Sequence, residues 1–210
     1  MKTNIAVLVS GGGTNLQALI DAQQRGMFGE GKITAVISSK AGAYALERAA
    51  KAGIPGYVIP RKEFDSNRAM TVALVEKLRE LSIDLVVLAG CMVIFTEELV
   101  QAYPNAIMNV HPALIPSFCG KGFYGLHVHE AALEYGVKLS GATVHFVTEE
   151  CDGGPIIAQQ AVPVLPGDTP EVLQKRIMEQ AEWKILPEAV SLFCQGIIAV
   201  EGRRVIIKEE

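Results

Sequence analysis

The chain is short of cysteine, of surplus positive charge and of long apolar runs, and each shortage removes a class of function. Its four cysteines, Cys91, Cys119, Cys151 and Cys194, are scattered through 210 residues with no Cys-x-x-Cys pair. That spacing offers neither a zinc knuckle nor a redox dithiol, and it reads as reduced thiols in a cytoplasmic protein. Lysine and arginine total 19 against 23 acidic residues, a formal charge of −4. The electrostatic footprint of a nonspecific nucleic-acid binder is therefore missing, and no nucleic-acid partner is expected. The longest apolar run, residues 85–95, falls well below the roughly 18 residues that span a bilayer. The apolar stretch near the start, residues 5–9, is too brief for a secretory signal. No membrane partner is expected either.

What is present is a chain half apolar and one fifth charged, a composition that excludes disorder and supports one domain over residues 1–210. Two kinds of segment alternate. Residues 4–10 (NIAVLVS), 33–38 and 84–89 (DLVVLA) are continuous aliphatic runs, as strands covered on both faces would be. Between them lie helical patterns: one opening after Gly13 with Thr14 or Asn15 as its cap, one over 43–52, and one over 68–81. Thr96 is placed to cap a short helix ending near Tyr103-Pro104, and 106–110 reads as another strand. The alternation then weakens. Residues 112–125 form a loop, 129–135 a helix, 142–147 a strand, and 155–164 a strand or strand pair. Thr169-Pro170 opens a long helix that Pro187 is expected to kink or break, and about 197–207 reads as a hairpin. The expected fold is α/β, with a mostly parallel central sheet and a mixed C-terminal half.

Three segments stand out chemically. Ser10-Gly11-Gly12-Gly13-Thr14-Asn15 runs from a strand through glycines into a helix N-terminus, which presents backbone N–H groups to an anion. A tight strand–helix turn is the alternative. Leu16 stands where a dinucleotide loop needs glycine, and no Lys-Ser/Thr follows as a P-loop requires, so a phosphorylated small molecule fits better than NAD or ATP. In Asn109-Val110-His111-Pro112, Asn109 and His111 share one side near the end of a strand, where open α/β sheets bind ligands. Asn109 could donate to an oxyanion and His111 could move a proton, although a turn cap and a core histidine would leave the same pattern. In the acid-rich stretch 148–155, Asp152 stands apart because Gly153-Gly154-Pro155 fixes its backbone path. A carboxylate beside an imidazole raises its pKa, so His111 is expected to titrate above about 6.5. His127 and His129 lack a third ligand, so no metal is expected; His145, inside a strand, reads as structural or supporting.

Taken together, S-G-x-G-T-N after the first strand, A-G-x-M, N-x-H-P-x-L-x-P, H-F-V-T and D-G-G-P-I-I resemble the phosphoribosylglycinamide formyltransferase family over residues 4–195. The resemblance implies a Rossmann-like three-layer formyltransferase fold and transfer of a formyl group from 10-formyltetrahydrofolate to the amine of 5-phosphoribosylglycinamide. It implies a catalytic trio of Asn109, His111 and Asp152, with Gly13, Thr14 and Asn15 at the substrate phosphate and Glu182 at its ribose or glycinamide end. Folate contacts are implied for Asn67, Arg68, Met92, Val93, Ile94, Phe95, Asn109, Thr148, Glu149, Glu150, Cys151 and Asp152. A monomer or homodimer is expected. The chain departs from the family pattern in four places. Asn67 precedes Arg68 after Phe64-Asp65-Ser66, Val93 replaces a common arginine, the loop 117–124 is longer, and one extra residue precedes Glu182. A methionyl-tRNA formyltransferase would add a C-terminal RNA-contacting domain and a formyltetrahydrofolate hydrolase an N-terminal one. A plain sugar-phosphate-binding module would leave Asn109, His111 and Asp152 without purpose.

Overall fold

Aliphatic runs without polar alternation become the central strands, because their side chains need cover on both faces. In the computed structural model, which describes residues 2–208, Ile5, Ala6 and Val7 are fully buried, as are Leu85, Val86 and Val87. The chain runs β1 (Asn4–Val9), α1 (Thr14–Gln24), β2 (Lys32–Ser38), α2 (Tyr44–Lys51), β3 (Gly56–Val58), α3 (Asn67–Glu80), β4 (Leu85–Leu88) and α4 (Glu97–Ala102). It continues with β5 (Ile107–His111), α5 (Leu126–Tyr135), β6 (Leu139–Phe146), β7 (Ile156–Pro163), α6 (Pro170–Ile177), α7 (Trp183–Cys194), β8 (Ile198–Glu201) and β9 (Arg204–Ile207).

The strands form one sheet in the order β3-β2-β1-β4-β5-β6-β7-β9-β8. The half from β3 to β5 is parallel, and β6 then runs antiparallel to both β5 and β7. Alternate side chains of β1 enter two separate cores. Ile5, Val7 and Val9 pack with residues of α1, α2, α6 and α7, while Ala6 and Leu8 pack with α3 and α4. Helices thus cover both faces, the three-layer arrangement expected. The order reverses between β1 and β4, which opens a crevice at their C-terminal ends. The loops after β1, β4 and β5 all emerge at that edge.

Four local readings are corrected. α1 is capped by Gly13, at φ 72°, with no side-chain cap; Thr14 and Asn15 lie inside the helix. Thr96 flanks α4 without a side-chain cap bond. Pro187 lies within α7, which runs through it; the interruption is a π turn at Met178–Glu182, one turn earlier. Helix α5 starts at Leu126, three residues before the expected position. Of the two alternatives for 155–164, the single strand is the one present. The hairpin is present as β8 and β9, and β9 joins the sheet through one parallel pairing, Ile156 with Arg204.

Candidate active site

Strand register builds the centre of the site. Asn109 and His111 alternate with Met108 and Val110, whose side chains enter the core shared with α1 and α7. The antiparallel β6 places His145 directly opposite Asn109 and Thr143 opposite His111. These four side chains therefore share one face at the C-terminal end of β5. Thr143, fully buried, donates to the Ala113 carbonyl at 2.7 Å and accepts from the Ile115 N–H at 3.1 Å. That pair of bonds fixes the path of the chain as it leaves His111.

Asp152 arrives from the loop between β6 and β7. Its φ of 54° is one that aspartate tolerates better than most residues. Of the two glycines that follow, Gly154 is sterically compulsory, while Gly153 meets only the movable side chain of the exposed Glu150. A Cβ on Gly154 would lie 1.7 Å from the Phe146 carbonyl oxygen, and one on Gly153 would lie 2.4 Å from the Glu150 side chain. So constrained, the carboxylate faces two imidazoles at once. Oδ2 lies 3.6 Å from His111 Nδ1, and Oδ1 lies 3.6 Å from His145 Nε2. The Gly120 N–H donates to Oδ2 at 2.9 Å. Burial alone would raise this carboxyl, but His145, the Gly120 N–H and the charge of His111 outweigh it and hold the pKa at about 2. Asp152 is ionised across the physiological range.

His111 is corrected in one respect. Its pKa lies below the ordinary 6.5 rather than above it. Desolvation is the largest cause; the Phe118 carbonyl and Asp152 pull the other way, and His145 adds to the lowering. The ring is 4% exposed, and at that depth burial prevails over one carboxylate 3.6 Å away. Its Nε2 donates to the Phe118 carbonyl at 2.8 Å. His129 is more extreme: fully buried in α5, it is pushed down to about 4, chiefly by desolvation and further by His111. Burial and the nearby Asp152 also raise the thiols of Cys119 and Cys151, so neither is primed as a nucleophile.

The glycine loop lies two strands away, about 10 Å at the usual spacing of strands. Gly11 and Gly12 are exposed. The Ala45 N–H donates to the Gly11 carbonyl, and Arg48 Nε donates to the Gly12 carbonyl at 2.8 Å. Gly13 is required by α2 as well as by its left-handed backbone, since an added Cβ would meet Ala45 Cβ at 2.6 Å. Asn15 Nδ2 donates to Glu182 Oε2 at 2.6 Å, tying α1 to the π turn before α7. Burial pushes the Glu182 carboxyl up to about 6, with the Asn15 bond partly offsetting it. Asn15 Oδ1 is buried with no protein partner. A buried carboxyl and an unpaired amide oxygen side by side are suited to hydroxyl and amine groups.

The expected folate segment follows β4. Met92 and Ile94 are 55% and 76% exposed, whereas Phe95 packs on the core beneath α3 and α4. Ser10 Oγ accepts from the Met92 N–H at 2.9 Å and so joins this segment to the end of β1. Asn67 Nδ2 donates to the Ile94 carbonyl at 3.4 Å, and Asn67 Oδ1 accepts from Arg61. Arg68 instead pairs with Glu98 at 2.5 Å, so its guanidinium is already engaged. Val93 turns toward a small apolar pocket that Cys91, Phe95 and Met70 also line. Thr148 and Cys151 flank Glu149 and Glu150, both exposed, in the loop that carries Asp152. His145 is the site residue that sequence reasoning undervalued, although it opens the H-F-V-T motif and is polar at a buried strand position.

Comparison with known proteins gives the family. The profile described as Formyl transferase matches residues 3–190. A phosphoribosylglycinamide formyltransferase from Haemophilus influenzae is 45% identical over 91% of this chain and 87% of its own length. The chain belongs to the phosphoribosylglycinamide formyltransferase family. Within it, the crystal structure of glycinamide ribonucleotide transformylase 1 from Symbiobacterium toebii superposes with a TM-score of 0.93. It is 46% identical, over 99% of this chain and 94% of that one. A human trifunctional purine biosynthetic protein is 44% identical over the whole chain, which spans only 20% of that protein. No helix among the described residues is long and apolar enough to cross a membrane.

Proposed function

We propose that this formyltransferase moves the formyl group of 10-formyltetrahydrofolate to the amine of 5-phosphoribosylglycinamide, in the cytoplasm. The observation that carries the reading is the convergence of Asn109, His111 and Asp152 beside a glycine loop that opens α1. The substrate phosphate lies on the N–H groups of Gly13, Thr14 and Asn15, at the positive end of the helix. Glu182, next to Asn15, takes the ribose or glycinamide end. The pterin lies between Met92–Phe95 and the loop 148–152, whose exposed apolar and backbone groups suit a flat, hydrogen-bonding ring.

The neutral amine attacks the formyl carbon and the formyl oxygen becomes an oxyanion. Asn109 Nδ2–H and His111 Nε2–H donate to it, with the formyl oxygen taking the place of the Phe118 carbonyl at His111. Because the ring starts neutral, it becomes cationic only by taking up the proton that the amine releases, which it then passes to the folate nitrogen. The ionised Asp152 favours that cation while the oxyanion is present. The tetrahedral carbon then releases the folate nitrogen as that C–N bond breaks. The amine gives up one proton and the folate nitrogen gains one, so the exchange involves no change of oxidation state.

Folate absorbance, followed with and without the ribonucleotide, tests this. Product is expected only when the ribonucleotide is present. Release of tetrahydrofolate with water alone at an equal rate would instead mark a hydrolase.

A further inference from the structure

The mechanism above uses three side chains and leaves His145 idle, although it is 1% exposed and touches two of them. We propose that His145 is a positioning residue that turns the Asn109 amide so that its nitrogen, rather than its oxygen, faces the reacting formyl group. The proposal rests on the reading of Asn109 as an oxyanion donor.

The argument runs outward from a backbone carbonyl. His145 Nδ1 lies 2.9 Å from the Phe146 carbonyl oxygen, which can only accept, so Nδ1 carries a hydrogen. In a neutral ring Nε2 is then a bare acceptor. It lies 3.2 Å from the Asn109 amide. An amide oxygen there would set one lone pair against another, whereas an amide N–H completes a hydrogen bond. The imidazole tautomer therefore decides which end of Asn109 points which way. One hydrogen of the NH2 group goes to His145, and the second remains for the substrate.

The arrangement is built into the sheet. Asn109 and His145 are cross-strand partners in the β5–β6 register, so their side chains meet without any loop movement. Without that acceptor, the amide could present its oxygen to the formyl oxygen, and repulsion would replace stabilisation. The charged groups facing His145 are Asp152, 3.6 Å from Nε2, and His111 across the same carboxylate. Neither competes with Phe146 for the Nδ1 hydrogen. The Asp152 carboxylate favours a proton on Nε2, but it lies farther from that nitrogen than the Asn109 amide does, 3.6 Å against 3.2 Å.

Two polar variants separate positioning from packing. Glutamine places a carbonyl oxygen near the former Nε2, while asparagine is too short to reach Asn109. His145→Asn is expected to lower kcat roughly 10- to 100-fold, less than outright loss of an oxyanion donor. Both KM values should stay within about twofold. His145→Gln is expected to recover most of kcat. Circular dichroism and thermal melts establish that each variant is folded, and Asn109→Ala is assayed in parallel. A wild-type kcat in His145→Asn, or equal impairment in His145→Gln, overturns the proposal while Asn109→Ala still loses activity. Full activity in Asn109→Ala removes the reading of the site itself.

Discussion

At the scale of single residues, burial prevails over pairing at His111, His129 and Glu182, whereas pairing prevails at Asp152. Glu182 has the clearest consequence, because its carboxyl is raised to about 6 from an ordinary 4.5. Below pH 4.5 it is protonated in folded and unfolded chains alike and has no effect on stability. As pH rises from 4.5 to 6 the unfolded chain ionises first, and the folded state loses about 2 kcal/mol, a loss that stays constant above pH 6. Glu182→Gln keeps an acceptor for Asn15 Nδ2 and cannot ionise. Urea denaturation at pH 7.5 should therefore find the variant more stable by about 2 kcal/mol, with the difference gone at pH 4. The same substitution should raise the KM for the ribonucleotide. A stability difference independent of pH would show that the fold does not raise the Glu182 pKa. A buried carboxyl that costs stability fits a residue kept for its ligand.

At the scale of elements, glycines place the loops by allowing other segments to come close. Gly13 sits against Ala45 of α2 with a left-handed backbone, so Gly13→Ala meets two separate obstacles. Together they should cost about 2–4 kcal/mol, of which the steric share is about 1–3. Gly13→Ala with Ala45→Gly removes the 2.6 Å contact with the Ala45 Cβ and leaves the 2.9 Å contact with its Cα and the backbone share. A double-mutant cycle by denaturation should then show coupling of at least about 1 kcal/mol. Simple additivity would mean that the loop moves away from α2 instead. The ribonucleotide KM should follow the same pattern, since the loop carries the N–H groups proposed to hold phosphate.

At the scale of the whole molecule, strand pairing sets His145 beside the site residues, and helix α5 keeps His127 and His129 apart. His127 is exposed and pairs with Glu130, while His129, two residues on, is fully buried. Two positions apart on a helix is a turn of about 200°, so the two rings cannot share an ion. Dialysis against a chelator should leave turnover unchanged. Activity lost and then restored by zinc would place a metal in the reaction.

Most of the layered architecture could be read in advance, because aliphatic runs such as 4–10 and 84–89 carry their burial in their own composition. The three-residue β3 was not legible. Gly56-Tyr57-Val58 has no pattern of its own and is a strand only because β2 lies beside it. The motif residues Asn109, His111 and Asp152 were legible as chemistry, and their meeting was implied by resemblance. What the sequence by itself determined was the α/β alternation, the glycine-opened α1 and the identity of the reactive groups, since these depend on neighbours within a few residues. The charge of His111, the bond from Asn15 to Glu182 and the contact between Asn109 and His145 were decided by the tertiary structure alone. Each depends on dielectric surroundings or on partners 36 to 167 residues away along the chain, which strand pairing and packing bring within reach.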